Sequence, residues 1–219
     1  MSEVEHVLAA QNELGEGPVW SVDEAALYWV DIPRHCFHRW QPATGTLETF
    51  PVGLPVGALA LRAAGGVVLA TKQGFAFYDT ERRIPHFIAD PEVDKPNARF
   101  NDGKVDRHGR FWAGTMADDE SPTSALYRLD PDGSVHRAIS EVIISNGIGW
   151  SPDGRTMYYT DSPRRVIYAY NFDPETGAIS NRREFVHTPG SDDVPDGLTV
   201  DSEGFVWSAR WDGWRVVRY

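Results

Sequence analysis

The chain has 219 residues, with 32 acidic and 21 basic side chains and a net charge of −11 at pH 7. This charge disfavours nucleic acid as a partner, and the single cysteine excludes an intrachain disulfide framework. No apolar run approaches the roughly 18 residues of a membrane span, and the acidic start lacks the features of a signal peptide. We therefore expect a cytoplasmic protein without a membrane partner.

The composition favours an all-β fold. The chain carries 20 glycines and 15 prolines, together with 8 tryptophans, 8 tyrosines and 10 phenylalanines. It has no long stretch with the period of an amphipathic helix. Because no Pro/Ser-rich linker or low-complexity segment divides it, we expect one domain over residues 1–219.

A pattern of about 45 residues repeats along the chain. Each copy has a glycine, an alternating apolar strand, a polar turn and a second strand that is nearly all apolar and aromatic; four copies continue into a third strand. Four short strands per repeat of this length are typical of a β-propeller blade. A β-sandwich is the weaker alternative, because sandwiches do not repeat one pattern five times. The copies start near Gly17, Gly57, Gly103, Gly147 and Gly197.

The number of blades stays open at this point. The fifth copy ends in RVVRY, in phase with the third strands of the earlier copies, and has no fourth strand. Residues 4–10 could supply that strand and close a five-bladed ring. A six-bladed protein without its last blade is equally compatible, because six blades need about 270 residues.

The residue before each repeat glycine should lie at the same height around the propeller axis. Asparagine and aspartate before glycine are common in turns, but glutamate has no such preference. Three acids beside one amide on a single axis would be electrostatically unfavourable without a cation. These oxygen donors therefore suggest a site for calcium, magnesium, manganese or zinc. The five residues are Glu16, Val56, Asp102, Asn146 and Asp196.

Four sequence blocks then carry a family resemblance over almost the whole chain. LGEGPVW at 14–20, ARFNDGKVDRHGRFWAGTM at 98–116, SNGIGWSPDGRTMYYTDS at 145–162 and VPDGLTVDSEGFVWSA at 194–209 resemble the signature blocks of the senescence-marker-protein/gluconolactonase family. That family includes regucalcin and bacterial sugar lactonases. The resemblance implies a six-bladed propeller with one catalytic divalent metal on its axis that hydrolyses aldonolactones.

The resemblance also implies roles for individual residues. The metal ligands would be Glu16 of GEGP, Asn146 of SNG and Asp196 of PDG. These are three of the four oxygen donors selected by the repeat. Asp102 is outside the implied ligand set, so it would be structural or would lie behind the ligands.

Three further positions would contact substrate. Arg99 and Asn101 of ARFND match substrate-contacting positions, and Asp119 is the nearest match to an acid that follows GTM in the family. The implied reaction opens a sugar lactone such as gluconolactone or xylonolactone. The metal (Ca, Zn, Mg, Mn or Fe(II)) would act as Lewis acid, and Asp196 would accept the proton of the attacking water.

Two other functions remain as alternatives. A non-catalytic propeller could bind calcium or a protein partner, because fold does not settle function. A related hydrolase of organophosphates or aryl esters would favour an apolar pocket above the metal. In either case, an unclosed ring would expose a strand edge and make self-association possible.

Overall fold

The computed structural model describes residues 5–219, which form five antiparallel sheets. Each sheet is a meander in which strands adjacent in sequence pair with each other. Blade 1 contains β1 (Gly15–Ser21), β2 (Ala26–Asp31), β3 (Cys36–Gln41) and β4 (Thr46–Pro51). Blade 2 contains β5 (Val56–Leu61), β6 (Val67–Thr71), β7 (Gly74–Asp79) and β8 (Ile84–Ala89).

The remaining three blades follow the same order. Blade 3 contains β9 (Ala98–Val105), β10 (Phe111–Ala117), β11 (Ser124–Leu129) and β12 (Val135–Val142). Blade 4 contains β13 (Ser145–Trp150), β14 (Thr156–Asp161), β15 (Val166–Phe172) and β16 (Ile179–His187). Blade 5 has three strands, β17 (Val194–Val200), β18 (Val206–Trp211) and β19 (Arg215–Arg218).

The core lies between blades because side chains alternate across each strand. In β6, Val67 and Leu69 pack in the cluster between blades 1 and 2, whereas Val68 and Ala70 pack between blades 2 and 3. A third cluster, around Trp112, joins blades 3 and 4. Blades 2 and 3 therefore each contribute an apolar face to both neighbours, which explains why their second strands are apolar on both faces.

The predicted all-β propeller is confirmed, but six blades are not. Residues 5–219 form five blades, and the inner strands of consecutive blades pack side by side from β1 through β5, β9 and β13 to β17. Within this described part, β17 and β1 do not pack against each other in the same way. Of the two arrangements left open by the sequence, the closed five-bladed ring is therefore not observed.

The predicted closing strand is also absent over the residues that can be described. Residues 5–10 are assigned to no strand, and Val4 lies outside the described range. The segment instead lies beside the outer face of blade 1, where Val7, Leu8 and Ala10 line a pocket with Trp29 and Trp40. In residues 5–219 we find no helix of the length and hydrophobicity needed to cross a membrane.

The two faces that border the unclosed side of the ring are rich in exposed aromatic side chains. On β18, Val206, Ser208 and Arg210 are buried, so the alternate residues point to the open side. On β1, Trp20 pairs with Leu27 on the corresponding open face of blade 1. The most exposed large side chains of the two faces are Trp20 (51%), Trp207 (39%), Trp211 (50%) and Val216 (61%).

Candidate active site on the propeller axis

A β-bulge at the repeat glycine is common to all five inner strands. Each inner strand has one extra residue there relative to its partner, and a bulge changes the direction of the side chains beside it. The bulges therefore place the same repeat position of every blade toward the axis. They lie between Glu16 and Val19, Val56 and Ala58, Phe100 and Gly103, Asn146 and Ile148, and Pro195 and Leu198.

The glycines permit the close approach of neighbouring inner strands. A Cβ atom on Gly57 would lie 2.3 Å from the Phe100 carbonyl oxygen of blade 3. A Cβ atom on Gly147 would lie 2.5 Å from the Leu198 nitrogen of blade 5. Real Cβ atoms do not approach backbone this closely, so only glycine fits at these two positions.

Three carboxylates lie near the axis, close enough for their charges to act on one another. Burial and the neighbouring charges of Asp196 and Asp102 raise the pKa of Glu16 to about 8. Burial likewise raises the pKa of Asp102 to about 6, although the Gly103 amide and Lys104 oppose the shift. Burial also raises the pKa of Asp196, against hydrogen bonds from Asn146 and the Gly197 amide. The arrangement is electrostatically unfavourable without additional positive charge.

The predicted donors come together, but not as a ring of acids. The Asn146 side chain donates from Nδ2 to the Ser162 hydroxyl at 3.0 Å and also hydrogen-bonds to Asp196. Val56, the repeat position of blade 2, is fully buried and apolar. Across residues 5–219 no three Asp, Glu, His or Cys side chains are close enough to hold a metal by themselves. A cation here would need the Asn146 amide oxygen together with Glu16 and Asp196.

Arg99 and Asn101 extend from β9 beside these donors. Arg99 Nη1 donates to Asn101 Oδ1 at 2.9 Å and to the Phe100 carbonyl at 3.0 Å, and Asn101 Nδ2 donates to the Ser145 carbonyl at 2.9 Å. Burial lowers the pKa of Arg99, and the charges of Asp118 and Glu16 oppose this shift. Arg99 therefore lies between the axial carboxylates and the acidic loop after β10.

The structure places Asp118 and Asp119 differently. Asp118 lines a cavity with Arg99, and its amide donates to the Asn97 carbonyl at 3.1 Å. Asp119 is exposed, and its Oδ1 accepts the Ser121 amide at 3.1 Å within the loop. The acid beside Arg99 is thus Asp118, and the substrate-binding role implied for Asp119 stays a prediction.

Two cavities adjoin the axial residues. The first, which we name the three-blade cavity, has a volume of about 280 Å³ and is formed by loops of blades 1, 2 and 3. The second, which we name the side pocket, has a volume of about 460 Å³ and extends from Glu16 along the open face of blade 1. The three-blade cavity is lined by Leu14, Ile32, Pro33, Pro55, Lys72, Asn97, Ala98, Arg99 and Asp118. The side pocket is lined mainly by apolar side chains, including Pro18, Leu27, Trp29 and Trp40.

Comparison with known proteins decides the family. A profile of the SMP-30/gluconolactonase/LRE-like region matches residues 14–219. The chain belongs to this family. Regucalcin from Danio rerio is 43% identical over 218 residues, which cover 98% of this chain and 74% of that protein.

Solved structures of family proteins confirm the propeller fold. A calcium-binding regucalcin from Agrobacterium tumefaciens superposes with a TM-score of 0.90 at 28% identity, covering 95% of this chain and 71% of that chain. A gluconolactonase from Xanthomonas campestris superposes with a TM-score of 0.78 at 27% identity, covering 94% and 72%. The family resemblance of the four sequence blocks is thereby confirmed.

Within this SMP-30/gluconolactonase propeller, sequence reasoning missed a lysine beside the axis. Lys104 extends from β9 of blade 3 to β17 of blade 5, where Nζ donates to the Leu198 carbonyl at 3.4 Å and to the Thr199 hydroxyl at 3.3 Å. Burial lowers its pKa, and Asp102 opposes this shift. Lys104 follows Asp102 by two residues on one strand, and alternate residues of a strand share a face. This spacing could have indicated that Lys104 lies near the axis.

Proposed function

We propose that the protein is a lactonase that opens the cyclic ester of sugar lactones such as gluconolactone or xylonolactone. One observation carries this proposal: the bulges bring Glu16, Asn146 and Asp196 to one axis, beside Arg99 and Asn101. Carboxylate and amide oxygens next to a guanidinium and a second amide suit a substrate with many hydroxyl groups. A family protein from Xanthomonas campestris that bears the name gluconolactonase supports the same reaction.

The donor set fits a divalent cation. Two carboxylates and one amide oxygen are hard ligands of the kind that calcium, magnesium and manganese prefer, and zinc and iron(II) accept. A bound positive charge would reduce the repulsion between the Glu16 and Asp196 carboxylates and offset the cost of burying them in the charged form. Glu16, Asn146 and Asp196 would hold the ion, and a cation there would supply Lewis acidity toward the ester carbonyl.

The residues of the chain then have distinct tasks. Arg99 and Asn101 bind substrate hydroxyl groups and orient the ring, and Asp196 accepts a proton from the water that attacks the carbonyl carbon. The ring C–O bond breaks, and the departing oxygen takes up a proton to become a hydroxyl. The new carboxylic acid ionises, so each turnover releases one proton to solvent.

The direct test is proton release by the metal-stripped protein after separate addition of calcium, magnesium, manganese, iron(II) or zinc. Gluconolactone and xylonolactone are the substrates, and cation binding is measured in parallel by calorimetry. We expect cation-dependent turnover that Glu16→Gln and Asp196→Asn each reduce at least 100-fold, as expected for loss of a ligand or general base. Asp132→Asn, in the exposed turn after β11, serves as the control and should retain activity.

Two outcomes would contradict the proposal. Turnover that survives Asp196→Asn would exclude the axial site as the reaction centre. A folded protein that binds calcium but hydrolyses neither lactone would instead be a binding propeller, the function that the description of the Agrobacterium tumefaciens protein as calcium-binding suggests.

The side pocket favours a second candidate, an esterase that acts on apolar substrates. Glu16 lines this pocket together with Leu27, Trp29 and Trp40, and such walls bind aryl or alkyl groups. If this function is correct, dihydrocoumarin is hydrolysed faster than gluconolactone, and Leu27→Asn lowers kcat/KM for dihydrocoumarin alone. Ile84→Asn, an equivalent change on the exposed outer strand of blade 2, is the control.

A further inference from the structure

The three-blade cavity contains more positive than negative charge in a strongly acidic protein. Its ionisable lining residues are Lys72, Arg99 and Asp118, two cations against one carboxylate. The chain as a whole has a net charge of −11. A local excess of positive charge in such a protein marks a place where an anionic group is stabilised rather than repelled.

Within residues 5–219 neither cation forms a salt bridge, although the charges of Asp118 and Glu16 act on Arg99. Among the lysines of residues 5–219, Lys95 forms a salt bridge with Glu92, whereas Lys72 forms none. Arg99 uses Nη1 for two neutral acceptors, the Asn101 side chain and the Phe100 carbonyl. Its Nε and Nη2 therefore remain available to a ligand, and guanidinium groups bind carboxylates through two such nitrogens at once.

The backbone holds these groups in place around the cavity. The Lys72 amide donates to the Pro55 carbonyl at 2.9 Å, which fixes the β6–β7 turn against the start of β5. The Asp118 amide donates to the Asn97 carbonyl and ties the opposite loop to the entry of β9. The lining residues come from three consecutive blades, so the cavity is part of the rigid propeller and not of one mobile loop.

Arg99 connects this cavity to the axial site. The same guanidinium lines the cavity and lies near the Glu16 carboxylate. A substrate whose ester lies over the axial donors would therefore extend its far end past Arg99 toward Lys72. The volume of about 280 Å³ leaves room there for a small polar group.

We propose that the three-blade cavity binds an ionised carboxylate of the substrate, through Lys72 and Arg99, so that the preferred substrates are lactones of sugar diacids. This inference rests on the lactonase function proposed above and specifies its substrate class. Lys72 is the residue that distinguishes an anionic lactone from a neutral one. Arg99 contributes to both, because it also lies beside the axial donors.

The test compares glucono-1,4-lactone with glucaro-1,4-lactone, which differs by oxidation of C6 to a carboxylate. We expect the cation-loaded protein to show a kcat/KM about fivefold to tenfold higher for the glucarolactone, with the preference reduced at high salt. Lys72→Met should abolish the preference and leave glucono-1,4-lactone within twofold of wild type. Lys72→Arg should retain it.

Arg137→Met is the matched control, because it removes one positive charge from the exposed outer strand of blade 3. Equal rates for the two lactones, or an equal loss on both in Lys72→Met, would overturn the inference while leaving the lactonase function intact. If neither lactone is hydrolysed, calorimetry with glucarate and gluconate still decides the question. Tighter binding of glucarate that depends on Lys72 supports the anion site, and equal binding of both excludes it.

Discussion

At the scale of single residues, the side chain of one aspartate enters a cavity while that of the next stays in its own loop. Both side chains are exposed, but Asp118 lines the three-blade cavity beside Arg99, whereas Asp119 accepts the Ser121 amide within its own loop. The local hydrogen bond lowers the pKa of Asp119 and keeps its carboxylate in the turn. We therefore propose Asp118, rather than Asp119, as the acid that contacts substrate.

Substitution of the two residues should separate these roles. For glucono-1,4-lactone we expect Asp118→Asn to raise KM at least threefold, because an amide accepts hydroxyl hydrogen bonds less strongly than a carboxylate. Asp119→Asn should leave KM within twofold of wild type. Steady-state kinetics of both variants provide the measurement, and the reverse order would restore Asp119 as the substrate contact.

The environment of Asp201 predicts that the stability of the fold depends on pH. Asp201 accepts the Trp207 indole at 2.8 Å, the Phe205 amide at 2.9 Å and the Arg218 guanidinium at 3.0 Å. These bonds lower its pKa to about 2, below the value of about 3.9 in an unfolded chain. The folded state thus releases the proton more readily, so Asp201 stabilises the fold above about pH 4 and loses this effect as pH falls toward 2.

Asp201→Asn should therefore destabilise the protein at neutral pH, and the difference from wild type should shrink at about pH 2. Urea unfolding followed by tryptophan fluorescence at pH 7, about pH 4 and about pH 2.5 measures both curves. A difference that stays constant over this range would show that the carboxylate charge of Asp201 does not contribute.

At the scale of strands, the bulge and its glycine are the element that builds the site. The repeat of glycines and preceding donors was visible in the sequence, and the family assignment from the four blocks is confirmed. The bulge was not visible, because it depends on pairing with the next strand and leaves no fixed motif. Whether the side chain of Asp102 or that of Asp196 joins Glu16 and Asn146 depends on that local geometry and could not be predicted from spacing.

Two repeat glycines with different surroundings test whether close packing of the inner strands requires glycine. A Cβ atom on Gly147 would meet the Leu198 nitrogen at 2.5 Å, whereas one on Gly197 meets Asp102 Oδ2 at 4.0 Å. We expect Gly147→Ala to lower the free energy of unfolding by about 1–3 kcal/mol, because β13 and β17 must separate. Gly197→Ala should cost less than about 1 kcal/mol, and equal losses in chemical denaturation would contradict the close-packing explanation.

At the scale of the whole molecule, the unclosed ring leaves exposed apolar side chains on the open sides of blades 1 and 5, and within residues 5–219 no strand pairs with the outer edge of β19. Within residues 5–219, blade 5 has three strands where each other blade has four. The number of blades could not be decided from the repeat alone, because residues 4–10 had a plausible strand pattern. In the structure residues 5–10 form no strand, and Val7, Leu8 and Ala10 line the side pocket with Trp29 and Trp40 of blade 1.

We propose that these surfaces cause self-association of this chain. Exposed apolar faces and free strand edges favour contact with a second copy. Sedimentation velocity should show a mass that rises with concentration, and Val216→Lys on β19 should reduce it. Ile84→Lys, on the exposed outer strand of blade 2, is the control and should not. A strictly monomeric wild type would contradict the proposal.

The sharing of core faces between neighbours gives the propeller the energetics of a one-dimensional array. Blades 2 and 3 each bury an apolar face against both neighbours, and blade 4 packs on blade 3 and contacts blade 5 through β13 and β17. In such a nearest-neighbour chain, opening begins at the termini and propagates inward. Within residues 5–219, Glu16 and Asp196 lie on the first and last blades of this array, so opening of either blade separates the axial donors before blades 2 to 4 unfold.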